Sequence, residues 1–399
     1  MHHPVVIVGA SMGGLRCAEA LRRFGYTGAI TVIGEESWKP YNRPPLSKEV
    51  LAKEVSHQAV AFEERSATAD VNWILGTKAV SLDVEHNTVT DSDGQTHRYS
   101  ALVVATGLRP KRIVVENSEL ANRFALRTLD DAMALREQLQ PGRNVVIVGG
   151  GFIGCEVAAT ATKLGANVTV IHNASHPMLR QLGDELANQM QLRHEAEGVR
   201  FLLKRSVDDL IGETSITGVK VDDGEILDCD VLVEAVGSLP NVEWLSNNNI
   251  DRNDGVLVDS AMRVTRKDGS PIKNVFAIGD VARFANPLFD GVPRRVEHWN
   301  MPTETAKRAA SVIAAMLTEA PSYPGILDDD FKPLPSFWSD QYENHLLAFG
   351  LTSLADRAEL VRGDIGGDCV FEYYRENQLV GVCGIGMRAA VQSYRSKFI

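Results

Sequence analysis

The string Val-Val-Ile-Val-Gly occurs twice, at 5–9 and 145–149, and each copy runs into a glycine-rich turn. The first turn reads Gly9-Ala-Ser11-Met-Gly13-Gly14 and the second Gly149-Gly-Gly151-Phe152-Ile153-Gly154. A short run of β-branched residues without polar alternation is a strand buried on both faces. A glycine turn at its end starts a helix whose free N–H groups and positive dipole end receive a pyrophosphate. Either copy alone could be an ordinary tight strand–helix turn. Two copies imply two dinucleotides on one polypeptide, and such chains typically pass electrons between a nicotinamide and a flavin.

The 399 residues are enough for two or three domains, and 44% hydrophobic with 23% charged residues is an ordinary globular balance. A net charge of −11 argues against nucleic acid as a partner. The longest apolar stretch, 309–317, is far short of the roughly 20 residues of a membrane helix, so no membrane association is expected. Met1-His2-His3-Pro4 leads straight into the first strand, so no signal peptide is expected and the compartment is read as cytoplasmic. The five cysteines, Cys17, Cys155, Cys229, Cys369 and Cys383, form no C-x-x-C pair and no zinc spacing. Neither a redox dithiol nor a metal site is therefore expected.

Strands are expected at 5–8 and 30–33 around a helix at 13–24, with a further strand at 102–105 ending in Thr106-Gly107. Arg109-Pro110 breaks the pattern and marks a crossover between domains. The second unit repeats the layout, with strands at 145–148 and 168–171 around a helix at 154–164. It closes with a strand at 231–236 before Gly237-Ser-Leu-Pro240-Asn241. The strand at 275–278, ending in Gly279-Asp280, belongs with the first unit, which makes that domain discontinuous. A helix near 303–317 precedes 318–335, which is rich in Pro, Gly and Asp and reads as a linker. Short antiparallel strands follow at 346–349, 360–362, 369–374 and 379–383, with Glu376-Asn377 as a hairpin turn.

In the first fingerprint Ser11 stands where the middle glycine is expected, the mildest replacement at a point of close backbone approach. Glu35, just past the second strand, sits where a carboxylate would bind the adenosine ribose, with Glu36 as the alternative; either could be a solvated turn residue. The second fingerprint is complete. Glu156 in its helix has a simple reading as an acid near a positive dipole end. After the second strand of this unit stand His172 and Asn173 rather than an acid, which leaves NADH against NADPH open.

The run Pro40-Tyr-Asn-Arg43-Pro-Pro-Leu-Ser-Lys48 resembles a hallmark of the FAD-dependent ferredoxin reductases that serve Rieske-type oxygenases and bacterial cytochrome P-450 systems. So do Ala105-Thr106-Gly107-Leu-Arg-Pro110, Leu126-Arg127-Thr128, Ala277-Ile-Gly-Asp280-Val-Ala-Arg283, Val296-Glu297-His298-Trp299 and Phe337-Trp338-Ser-Asp-Gln341. The motifs keep the family's order over essentially the whole chain.

The resemblance implies an α/β fold, also that of glutathione reductase, with two Rossmann-like domains and a small α+β C-terminal domain. FAD would be bound by 1–109 and 238–321, NAD(P)H by the inserted 110–237, and 322–399 would form the C-terminal domain. Lys48 would lie beside the isoalloxazine, paired with Glu156, and stabilise charge arriving with the hydride. Asp280 would accept bonds from the ribityl hydroxyls. Gly9, Ser11, Gly13, Gly14, Glu35, Arg43, Ala79, Ala105, Thr106, Gly107, Arg127, Glu297, His298 and Trp299 would complete the FAD site. Gly149, Gly151, Phe152, Ile153, Gly154, Glu156, His172 and Gly237 would line the nicotinamide site, for NADH with NADPH possible. Lys307, Arg308 and Trp338 would meet a small acidic iron–sulfur ferredoxin. His345 or Leu347 stands where relatives often carry lysine, which would alter that surface. The competing readings are an NAD(P)H oxidase or quinone reductase, and an NADH-sensing flavoprotein.

Overall fold

The computed structural model describes residues 3–115 and 119–398. Met1 and His2, part of the segment read above for a leader, lie outside them. The chain divides into two compact units, neither continuous in sequence.

The first unit comprises the segment ending at Asn42, Val60–Arg109 and Leu239–Pro335. Its six-stranded sheet runs in the order Arg263–Thr265, Pro271–Ala277, Ala101–Val104, Val5–Val8, Ile30–Gly34, Asn72–Leu75. All neighbours are parallel except the first pair. Every residue of Val5–Val8 and Ala101–Val104 is buried, as continuous apolar runs in a parallel sheet require. Pro271–Ala277 pairs in parallel with Ala101–Val104, so chain that follows the second fingerprint unit completes the first sheet. Helix Met12–Arg23 buries Gly14, Leu15, Cys17, Ala18, Ala20 and Leu21 and packs along helix Met301–Leu317. Arg22 ends the first helix by donating to the Tyr26 and Gly28 carbonyls at 2.8 and 2.9 Å, a cation at the negative dipole end.

The second unit comprises Arg43–Ala59, Pro110–Ser238 and the segment from Ser336 onward. Its five-stranded sheet is parallel throughout, in the order Arg200–Leu203, Asn167–His172, Asn144–Val148, Val231–Glu234, Arg123–Phe124. Helix Phe152–Lys163 follows its central strand, and helix Leu179–Ala196 bends at Gly183, where φ is +72°. The C-terminal part is a five-stranded antiparallel sheet ordered Ser336–Gln341, Asn344–Gly350, Gln378–Ile385, Cys369–Arg375, Arg357–Gly363. Glu376 and Asn377 both adopt positive φ, 49° and 65°, as the two-residue hairpin turn requires.

Three features depart from the sequence reading. Helix Tyr323–Asp328 interrupts the stretch read as a linker, and its exit is tied down by Asn286 and Asn300 amides donating to the Pro333 and Leu334 carbonyls. Ser336–Gln341 is a strand that local pattern did not reveal, because Phe337, Ser339 and Gln341 face inward with only one of them apolar. Arg43–Ala59 packs with the second unit, although the sequence placed it in the first domain.

His194, fully buried on helix Leu179–Ala196, meets Gln341 Oε1 through Nε2 at 2.7 Å. Burial lowers its basicity below the ordinary value of 6.5. The folded state then binds fewer protons than the unfolded one, so its contribution to stability is complete above about pH 6.5 and is lost as pH falls below it. Melting temperature is expected to drop between pH 7 and pH 5, and to drop less in His194→Asn. Equal pH slopes for the two proteins would contradict this.

Candidate functional site: two dinucleotide cradles and a clamped ion pair

The two fingerprints are the same structure built twice. Gly9 N–H donates to Ile33 O and Ala105 N–H to Val8 O; Gly149 N–H donates to Ile171 O and Ala235 N–H to Val148 O. Gly9 has φ +126°, and a Cβ there would lie 2.1 Å from Ala105 O. Gly149 has φ +109°, and its Cβ would lie 2.2 Å from Ala235 O. A Cβ on Gly14 would meet Gly9 O at 2.1 Å, and one on Gly154 would meet Gly149 O at 2.0 Å. Those four glycines are demanded by the fold. Ser11 and Gly151 are the extended N-cap residues of the two helices, and a Cβ on Gly151 meets nothing within 4 Å. Glycine at 151 therefore answers no packing demand and leaves space at a helix N-terminus, which fits a phosphate. Phe152 and Ile153 open the helix beyond it, with Ile153 exposed.

In the first unit, Asp280 lies in the short turn Gly279–Val281 at the carboxyl end of Pro271–Ala277, two strands from Val5–Val8. Gly279 N–H donates to the buried Thr305 hydroxyl at 2.9 Å, which donates to Met301 O at 2.7 Å. This pins the turn to the start of helix Met301–Leu317. Asp280 and the first fingerprint thus share the carboxyl edge of one parallel sheet, where ligands of open α/β sheets bind. Thr106 and Gly107 join Asn241: Thr106 Oγ1 donates to its carbonyl at 2.7 Å, and Asn241 N–H donates to Gly107 O at 3.1 Å. A Cβ on Gly13 would meet Ile278 and Ala105 side chains at ordinary contact distance, 3.8 and 3.9 Å, and Ala79 is buried at the start of strand Ala79–Asp83. Glu35 is exposed and pairs with Lys78 at 3.2 Å, whereas Glu36 accepts from Tyr41 Oη at 2.5 Å. Glu297 pairs with Arg295 at 2.7 Å, burial lowers the basicity of His298, and exposed Trp299 donates to Asn42 Oδ1 at 3.4 Å.

The second unit assembles the ion pair. Glu156, 7% exposed, accepts from Lys48 Nζ on Oε2 at 2.8 Å and from Ser47 Oγ on the same oxygen at 2.5 Å. Ser339 Oγ donates to its other oxygen at 2.5 Å. Lys48 also donates to Pro44 O at 3.2 Å, and Thr160 Oγ1 to Ser47 O at 2.8 Å. Ser47, Ser339 and Gln341 were not expected in the site as individual residues; only their motifs marked them. Arg43 donates to the Arg127 carbonyl, and Thr128 begins helix Leu129–Gln138 with a capping box closed by Asp131. Gly237, at φ +101°, accepts from Lys111 N–H at 2.9 Å.

His172 leans over the second fingerprint, its Nδ1 accepting from Gly150 N–H at 3.1 Å. That bond needs an unprotonated Nδ1, and burial lowers the ring's basicity. Just past the end of the neighbouring strand Arg200–Leu203, Arg205 N–H donates to His172 O at 3.1 Å, and the Arg205 guanidinium is held by Asp223 at 2.7 Å.

Of the expected docking charges, Lys307 is 46% exposed beside Glu304. Arg308 is a correction: its guanidinium donates to Ser260, Ile326 and Asp329 carbonyls, each at 2.8 Å, and its side chain is 10% exposed. It braces the fold rather than presenting a charge. Trp338 is 36% exposed on the outward face of its strand. All five cysteines are free and buried, and burial pushes the Cys17 and Cys229 thiols up to about 12. Among the described residues no cluster could hold a metal ion, and no helix is long and apolar enough to cross a membrane.

Residues 3–306 match the family described as pyridine nucleotide-disulphide oxidoreductase, and 336–398 match a reductase C-terminal domain. The chain belongs to this family, whose members bind FAD and depend on NAD(P)H. It is 34% identical over 360 residues to rubredoxin-NAD(+) reductase of Pseudomonas putida, covering 90% of this chain and 88% of that protein. It is 37% identical over 367 residues to the ferredoxin–NAD(+) reductase component of the anthranilate 1,2-dioxygenase system of Burkholderia cepacia, covering 90% and 85%. The reductase in the covalent putidaredoxin reductase–putidaredoxin complex superposes with a TM-score of 0.89 at 30% identity, covering 99% of this chain and 93% of that one.

The fingerprints separate fold from ligand. Gly154→Ala is expected to destabilise the protein by more than about 2 kcal/mol, since backbone must move. Gly151→Ala is expected to cost only about 1 kcal/mol or less, as an N-cap change without a clash, and to weaken NAD(H) binding at least tenfold. Denaturant melts and nucleotide titrations check both; equal loss of stability in the two variants would contradict the assignment.

Proposed function

We propose that the protein is an NAD(P)H-dependent ferredoxin reductase of the cytoplasm, feeding a small acidic iron–sulfur protein that serves an oxygenase. The observation that carries this is the doubled cradle together with the clamped Lys48–Glu156 pair, in a chain whose cysteines are all buried. Disulfide chemistry, which the wider family's description suggests, has no accessible thiol here.

FAD would be held by Gly9–Gly14, Glu35 or Glu36, Thr106-Gly107 and Asp280, within 1–109 and 238–321. The nicotinamide nucleotide would be held by Gly149–Gly154 and His172 within 110–237, and 322–399 would form the partner-facing domain. Bound FAD supplies the chemistry of accepting a two-electron equivalent and releasing electrons singly. The chain's residues do the rest. Helix N-termini bind the pyrophosphates, Asp280 fixes the ribityl chain, and Lys48 offers a fixed positive charge, its position held by Glu156. NADH is the favoured donor: neutral His172 attracts no 2′-phosphate, and Arg205 is already committed to Asp223.

The purified protein is expected to be yellow, with about one FAD per chain. Asp280→Ala is expected to weaken FAD retention about tenfold or more, by loss of charge-assisted bonds worth ~1.5–3 kcal/mol. Anaerobic reduction by NADH, then mixing with ferredoxin, quinone or oxygen, decides the class. Fast reoxidation only by an iron–sulfur protein is the expected result; faster reoxidation by oxygen or quinone would make the chain an oxidase or quinone reductase. A long-lived reduced state with every acceptor would point to a sensor.

Lys307→Glu is expected to slow ferredoxin reduction several-fold at low salt while leaving flavin reduction by NADH unchanged. The difference from wild type should vanish as salt screens the encounter. Loss of both half-reactions would show that Lys307 serves folding instead.

A further inference from the structure

The carboxylate of Glu156 sits at the end of a one-directional relay of donors that begins two elements away, on helix Leu179–Ala196. His194 faces Gln341 Oε1 through Nε2 at 2.7 Å, so the neutral ring donates there. With its oxygen so engaged, the Gln341 amide turns its nitrogen to Ser339 Oγ at 3.0 Å and to Met178 sulfur at 3.2 Å. Ser339 Oγ accepts from Gln341, so its single proton is left for Glu156 Oε1, 2.5 Å away. Ser47 and Lys48 both donate to Oε2. Ser339, Gln341 and His194 are each 0% exposed, so bulk water does not compete for these bonds. The rings of Phe152 and Phe337, 5.0 Å apart, close over the same junction between the fingerprint helix and the strand.

We propose that Ser339 is a positioning residue for hydride transfer: with Gln341 behind it, the C-terminal strand aims the Glu156 carboxylate and thereby holds the Lys48 ammonium in place. The strand that carries exposed Trp338 on one face then serves the nicotinamide half-reaction with the other. This rests on the reductase reading above, in which Lys48 supplies the fixed positive charge.

The test uses the flavin-loaded protein in three forms: wild type, Ser339→Ala and Ser339→Thr. Two readouts are taken. The first is proton exchange at the Lys48 ammonium by nitrogen-15 NMR, its signal assigned by its loss in Lys48→Met. The second is single-turnover flavin reduction over a range of NADH concentrations. Ser339→Ala is expected to speed ammonium exchange and slow limiting reduction, each about tenfold for one charge-assisted bond, with NADH affinity unchanged. Ser339→Thr, which keeps the hydroxyl, should restore both. If Ser339→Ala does not fold, Gln341→Met tests the same relay and should change both in the same direction. Unchanged exchange and unchanged limiting rate in a folded variant overturn the proposal. So does a loss confined to NADH affinity, or failure of threonine to rescue. A wild type that NADH cannot reduce would sink the reductase reading instead, while the exchange experiment would still report on the clamp.

Discussion

The contact on which the rest depends is a carbonyl oxygen pressed against a glycine α-carbon, made twice. Ala105 O lies where a side chain on Gly9 would stand, and Ala235 O where one on Gly149 would stand. Each contact draws the end of one parallel strand against its neighbour, so the chain must turn at once into a helix. Gly14 and Gly154 then let that helix start directly over the turn. The free N–H groups at each helix start are thereby fixed at a strand edge, which is the geometry a pyrophosphate needs. Nothing about a ligand is required to form this arrangement; steric exclusion of a side chain suffices.

At the Lys48–Glu156 pair, charge is held by burial and by hydrogen-bond donors. Lys48 and Glu156 are both largely removed from water, and an ion pair there is costly unless its remaining lone pairs are satisfied. Ser47 and Ser339 satisfy them from two separate segments of the chain. The buried cysteines, by contrast, carry no chemistry: desolvation pushes their thiols up, and at Cys369 the Arg193 charge offsets it only in part.

What the sequence disclosed was local. The fingerprints, the buried strands, the Asp280 turn and the Glu376-Asn377 hairpin depend on residues within a few positions of one another, so their pattern carries their geometry. What it concealed was long-range. Ser339 meets Glu156 across 183 positions, and no spacing rule links them. Arg308 reads as a surface charge on its helix, but the carbonyls that bind it belong to residues 260, 326 and 329, brought together by folding. Arg205 is far from His172 in sequence and beside it in space, because the strands Asn167–His172 and Arg200–Leu203 run parallel. Ser336–Gln341 escaped notice as a strand since polar side chains occupy its inward positions, as they do where a site rather than a core is being built.

Two separate dinucleotide sites of different ligand on one chain have a stoichiometry that can be read directly. Calorimetric titration of the flavin-loaded protein with NAD(+), with flavin content followed in the same sample, tests it most directly. One NAD(+) bound per chain, with FAD retained at one per chain, is the expected result. Displacement of FAD by NAD(+), or saturation at one nucleotide in total, would contradict it.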